Sequence, residues 1–178
     1  MSGPRYTLPA VLLHWLHALL VISLLGLGWY LTGLPKGAER SAAIGLHKSL
    51  GLIALALVLL RAGWRLGHKP PPPLPDSPWK HRLAALTHGL LYVLLLIVPV
   101  AGFLSASFTK YQMKFFGTPL PRLFAPDDSL NEVFHNLHEG AIWVLVTLLG
   151  LHLAGVAYHL ARRDGLIKRI LPGWTTEP

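Results

Sequence analysis

Leu137-His138-Glu139-Gly140-Ala141-Ile142-Trp143-Val144-Leu145-Val146-Thr147-Leu148-Leu149-Gly150-Leu151-His152, running on through Ala161, decides how the rest of the chain is read. From Gly140 to Ala161 it holds no Asp, Glu, Lys or Arg. Its length matches the roughly 20 apolar residues that cross a bilayer core of about 30 Å. Three more such runs lie upstream, so the spans are read as about 9–34, 42–66, 83–108 and 138–161, within a single transmembrane domain covering 1–178. The first is too long for a signal-peptide core and lacks a small-residue cleavage site after it. Pro99 falls inside the third, where a membrane helix tolerates a kink.

Composition agrees. The apolar fraction is 52% against 13% charged, with mean hydropathy +0.47, where a soluble domain carries roughly 25% charged residues. The chain has no cysteine. That excludes disulfides, thiolate metal sites, iron–sulfur clusters and c-type haem attachment. The expected fold is all-α, an integral membrane four-helix bundle.

The net charge of +8 needs placing before nucleic acid is considered. One side of the membrane collects Arg5, Arg61, Arg65, Lys69, Lys80, Arg82, Arg162, Arg163, Lys168 and Arg169 against Asp76, Asp164 and Glu177, a net of +7. The other collects Lys36, Arg40, Lys48, Lys110, Lys114 and Arg122 against Glu39, Asp127, Asp128, Glu132 and Glu139, a net of +1. The positive-inside rule then puts both termini in the cytoplasm. The cations read as topology signals and headgroup anchors, and nucleic acid is excluded as a partner. His68–Pro75 forms a stiff polyproline link between spans two and three. Thr109–Glu132 is the longest loop, on the outer face; Asp128 or Ser129 is expected to cap the helix after it, with Glu132 placed for a capping box.

The chemistry lies in the ten histidines. His14, His17, His47, His88, His152 and His159 sit in or at the ends of the apolar runs, with His135 and His138 just before the fourth. An ionisable residue within a span marks a functional site by default, since burying it unpaired is costly. His138 and His152, 14 residues apart, lie about 21 Å apart along a helix and within about 40° of one face. Depth pairs His47 with His138 and, more loosely, His14 with His152. Two bis-imidazole sites stacked across a bundle suit two b-type haems, and axial Met is nearly excluded because the only methionines are Met1 and Met113. One turn away, His17 competes with His14, and His135 competes with His138. Gly51 and Gly155 would leave room for a flat ring, or simply pack helices. Arg61, 14 residues after His47, could fork onto a haem propionate or snorkel to the headgroups.

The motifs Leu13-His14-Trp15, Leu46-His47-Lys48-Ser49-Leu50-Gly51, Leu86-Thr87-His88 with Pro99, Leu137-His138-Glu139 and Gly150-Leu151-His152, in this order, resemble the bacterial cytochrome b561 family. That family is related to the cytochrome b subunits of nickel–iron hydrogenase and formate dehydrogenase, and the resemblance runs from about residue 6 to 172. It implies a bundle in the bacterial inner membrane holding two b haems on His14/His152 and His47/His138. It also implies electron exchange with ubiquinone or another quinone; one branch of the family oxidises superoxide at the outer face. His88, with His159 and Trp79, is then a candidate quinone site. Lys48, Lys110 and Lys114 form a candidate funnel for an anion such as superoxide.

Three classes compete. The first is a superoxide:quinone oxidoreductase. The second is an electron-transfer subunit that docks to a partner dehydrogenase, hydrogenase or cytochrome. The third is a haem-free transporter using its histidines; it ranks last because no acid lies deep in any span.

Overall fold

A computed structural model describes residues 5–171; Met1, Pro172 and Glu177, used above, lie outside them. Four helices follow the four apolar runs: α1 (Leu8–Gly33), α2 (Ala38–Gly67), α3 (Pro78–Ser107) and α4 (Asp128–Arg162). Each is long and apolar enough to cross a membrane. Pro9 and Pro78 sit in the first turns of α1 and α3, where the missing N–H has no intrahelical role.

The packing is that of a membrane bundle. Leu19, Ile22, Trp29, Trp143 and Leu153 point outward and are all more than 60% exposed, an arrangement stable only where lipid replaces water. The core between the helices is small, with Val21, Leu91 and Leu145 meeting near its centre. Each helix packs on the next in chain order, whereas the backbones of α1 and α4 stay apart among the described residues. That seam is bridged at one end by the segment after α4. Arg163 and Gly165 turn the chain with φ of 53° and 81°, and a 3₁₀ turn, Ile167–Arg169, follows. The Trp15 indole N–H then donates to the Ile170 carbonyl at 2.7 Å, and the Tyr6 N–H to that of Arg169 at 3.2 Å.

Three details differ from the sequence reading. The cap of α4 is Asp127, whose carboxylate accepts from the Leu130 N–H at 2.9 Å. The helix therefore starts one residue early, and the third helical position holds Leu130 where a capping box needs Glu or Gln. The loop between α3 and α4 contains a hairpin, β1 (Lys114–Phe115) with β2 (Thr118–Pro119). Phe116 and Gly117 turn it with φ of 45° and 88°. Positive φ at both central residues is the turn that matches strand twist, and a phenylalanine there hides the usual Asn-Gly signature. Arg169, counted above as a headgroup anchor, is buried and donates to the Pro72 carbonyl at 2.9 Å. A polyproline segment makes no internal hydrogen bonds, which leaves such carbonyls open to a cation.

Candidate haem centres

At the end of the bundle where α1 begins and α4 ends, these two helices bring His14 and His152 together. Their ring centres are 6.5 Å apart with planes inclined at 64°. His88 of α3 packs against His152 at 5.4 Å. From α2, Arg61 places Nη2 2.8 Å from His14 Nδ1 and lies 5.1 Å above the Tyr92 ring. Every helix contributes.

Nearer the opposite end of the bundle, His47 and His138 stand 6.3 Å apart at 89°. His138 Nδ1 donates to the Val98 carbonyl at 2.7 Å. Gly102 makes that approach possible, because a Cβ there would meet His138 Cε1 and Nδ1 at 3.0 Å each. Gly28 faces His47 Cε1 across a looser 3.5 Å. A cavity of about 60 Å³ lies between these rings, bordered by His17, Gly51 and Pro99.

Both pairs suit an iron porphyrin. Imidazoles bonded from opposite sides to one metal, at about 2 Å per bond, stand roughly 6 Å centre to centre. The His47 Nδ1 and both His17 nitrogens are buried without a hydrogen-bond partner among the described residues, and such atoms are costly unless a further group meets them. Gly51 has open space where a side chain would stand, as has Gly155.

The competing histidines separate. His135 is exposed; it is His138 that faces His47. His17 is buried and borders the cavity between His47 and His138, while His14 faces His152. The three candidate quinone residues have different neighbours. His88 packs on His152 and keeps an exposed edge. His159 Nδ1 lies 2.6 Å from Asp164 Oδ2. Trp79 is exposed beneath the Lys80 ammonium at 5.8 Å. Burial would raise the Asp164 carboxyl, but its bonds to His159 and the Leu166 N–H outweigh that and hold it below the usual range. Among the candidate funnel lysines, Lys48 is half-buried and Lys114 is exposed on the hairpin. The Phe116 N–H fixes that hairpin to α2 by donating to Ser49 Oγ at 2.9 Å. Lys110 lies over the Tyr111 ring at 5.6 Å. Gly102, Gly28, Asp164 and the Val98 carbonyl were not singled out from sequence; only the glycines carry a signal, as small residues in α1 and α3 at the level of the rings.

Four apolar helices that face histidine pairs at two depths match a family profile over residues 5–173, that of prokaryotic cytochrome b561. The chain belongs to this family. Membership makes it a multi-pass bacterial membrane protein of electron transfer, with b-type haem as cofactor. Cytochrome b561 homolog 2 of Escherichia coli K12 is 29% identical over 171 residues, covering 94% of this chain and 91% of that protein. A probable superoxide oxidase, CybB of Yersinia pestis, is 27% identical over 173 residues, covering 94% and 96%. Redox partners of this cytochrome b561 relative meet it at the membrane.

Proposed function

We propose that this protein carries two b haems in series, one held by His47 and His138 near the outer face and one by His14 and His152 near the cytoplasm. Both termini are then cytoplasmic, and electrons pass from an outer-side donor to the quinone pool. The observation that carries this reading is the two facing imidazole pairs, with ring centres 6.3 and 6.5 Å apart. Haem bound there supplies one-electron chemistry. The protein's part is to fix the rings, exclude water and handle protons. His138 is held by Val98, and Arg61 has further N–H groups to offer a propionate. At the cytoplasmic end, His159 is hydrogen-bonded to Asp164, the arrangement of a proton donor for a reduced quinone. His88, with its exposed edge beside His152, is placed for a quinone arriving from lipid, and Trp79 completes the candidate site.

A reduced-minus-oxidised optical spectrum with haem counted per chain tests this. Two low-spin b haems are expected, falling to one in His138→Ala. A protein that binds no haem when haem is plentiful would overturn the reading.

Superoxide is the donor this proposal favours, since a relative of similar length is named for that activity. The hairpin bearing Lys114 is also fixed to the helix bearing Lys48. Neutralising Lys48, Lys110 and Lys114 should slow reduction by superoxide and flatten its salt dependence. An unchanged rate would favour docking to a redox protein instead.

A further inference from the structure

The start of α3 gathers cations around an exposed apolar stripe. Trp79, Leu83 and Leu86 recur at helical spacing and are all exposed, so they share one lipid-facing side. A tryptophan at the end of such a stripe marks the level of the lipid headgroups. Lys80 lies over the Trp79 ring at 5.8 Å. Arg82, three residues after Trp79, is its neighbour on the helix surface. Arg82 is exposed and has no acidic partner among the described residues. From α4, Arg162 joins Lys80. Both donate to the Tyr158 hydroxyl, at 2.9 and 2.6 Å, as well as to Asp76.

These contacts fix the cations without using them up. A guanidinium has five N–H groups and an ammonium three, and the Lys80 and Arg162 side chains remain 30% and 45% exposed. Asp76 can neutralise one of the two. Asp164, the other acid close to Arg162, is bonded to His159, and Arg163 adds a further exposed cation. The balance beside the stripe is positive.

We infer that the start of α3 and the end of α4 form a seat for one anionic phospholipid. Its phosphate meets Lys80, Arg82 and Arg162, and an acyl chain lies along Trp79, Leu83 and Leu86. A zwitterionic lipid also carries a phosphate, but its own ammonium is repelled by the same cations. A flexible headgroup anchor takes either lipid; a fixed cluster selects between them. The seat does not depend on how many haems the protein holds.

The test strips lipid from the purified full chain in detergent, then counts rebound lipid by native mass spectrometry. Phosphatidylglycerol and phosphatidylcholine with the same acyl chains are offered in equal amounts. The unaltered chain should retain phosphatidylglycerol preferentially. Arg82→Gln should lower that preference about fivefold, the effect of one basic residue at an anionic lipid surface, and leave the visible spectrum unchanged. Arg162→Gln should do at least as much. Lys69→Gln removes an exposed cation from the polyproline link and should change nothing. Trp79, named above for the quinone site, is left unaltered. Equal retention of the two lipids would overturn the inference. So would an equal loss in Lys69→Gln, since diffuse charge would then be the cause. Displacement of the lipid by an equal concentration of inorganic phosphate would overturn it too, because the ligand would then be a free anion. Should Arg162→Gln not fold, Arg82→Gln decides, because Arg82 joins no ion pair among the described residues.

Discussion

A single carbon at position 102 would press on the His138 ring, since the added Cβ would meet two ring atoms at 3.0 Å. On the two-haem proposal, Gly102→Ala should therefore push that ring off the Val98 carbonyl and broaden or deplete the signal of the haem on His47 and His138 in low-temperature spectra. The matching change in α1, Gly28→Ala, makes only an ordinary contact at 3.5 Å and should leave both haem signals as they are. The histidines were legible in the sequence because an ionisable group stands out in an apolar run. What holds them was not. The Val98 carbonyl belongs to the backbone and leaves no letter in the sequence. Asp164 lies beyond the last span, where an acid reads as ordinary solvated charge.

Among the elements, the helices were legible to within a few residues where hydropathy ends them. Their polar extensions were harder to read. At 1.5 Å per residue the 35 residues of α4 run about 52 Å, well past the bilayer core. Its first turns stand outside, tied to α3 by Asn131 Nδ2 donating to the Ser105 carbonyl at 2.8 Å. There the cap rather than hydropathy sets the helix start. Asp127→Ala should cost about 1 kcal/mol of stability, whereas Asp128→Ala and Ser129→Ala should cost little, by thermal unfolding in detergent. The hairpin was missed because two-residue strands carry too short an alternation to register. Ser49→Ala leaves the Phe116 N–H without its partner, at a cost of roughly 0.5–1.5 kcal/mol. Residues 111–123 should then exchange amide hydrogens faster while the haem content stays constant.

For the molecule as a whole, the start of α3 and the end of α4 are joined through one carboxylate. Asp76 accepts from Lys80 and from Arg162, each at 3.0 Å. The Ser77 N–H, with the Lys80 ammonium, holds its pKa down at about 2, against an ordinary 3.8. A depressed carboxyl pKa stabilises the fold above the unfolded value, and that gain fades as pH falls through the folded one. The stability lead of the unaltered protein over Asp76→Asn should thus be near its full value above pH 3.8, shrink steadily toward about pH 2 and vanish only below that. A melting series carried to still lower pH reads it directly; a gap that persisted there would show that the ion pairs are not its source.

The bridge from Trp15 to Ile170 has a bearing on how such a protein is put together. Among the described residues the bundle resembles a book bound along α2 and α3, with its fore-edge at the seam between α1 and α4. With residues 164–171 undocked, a flat, greasy porphyrin in the bilayer would have a sideways route onto the imidazoles. The tail then acts as the clasp.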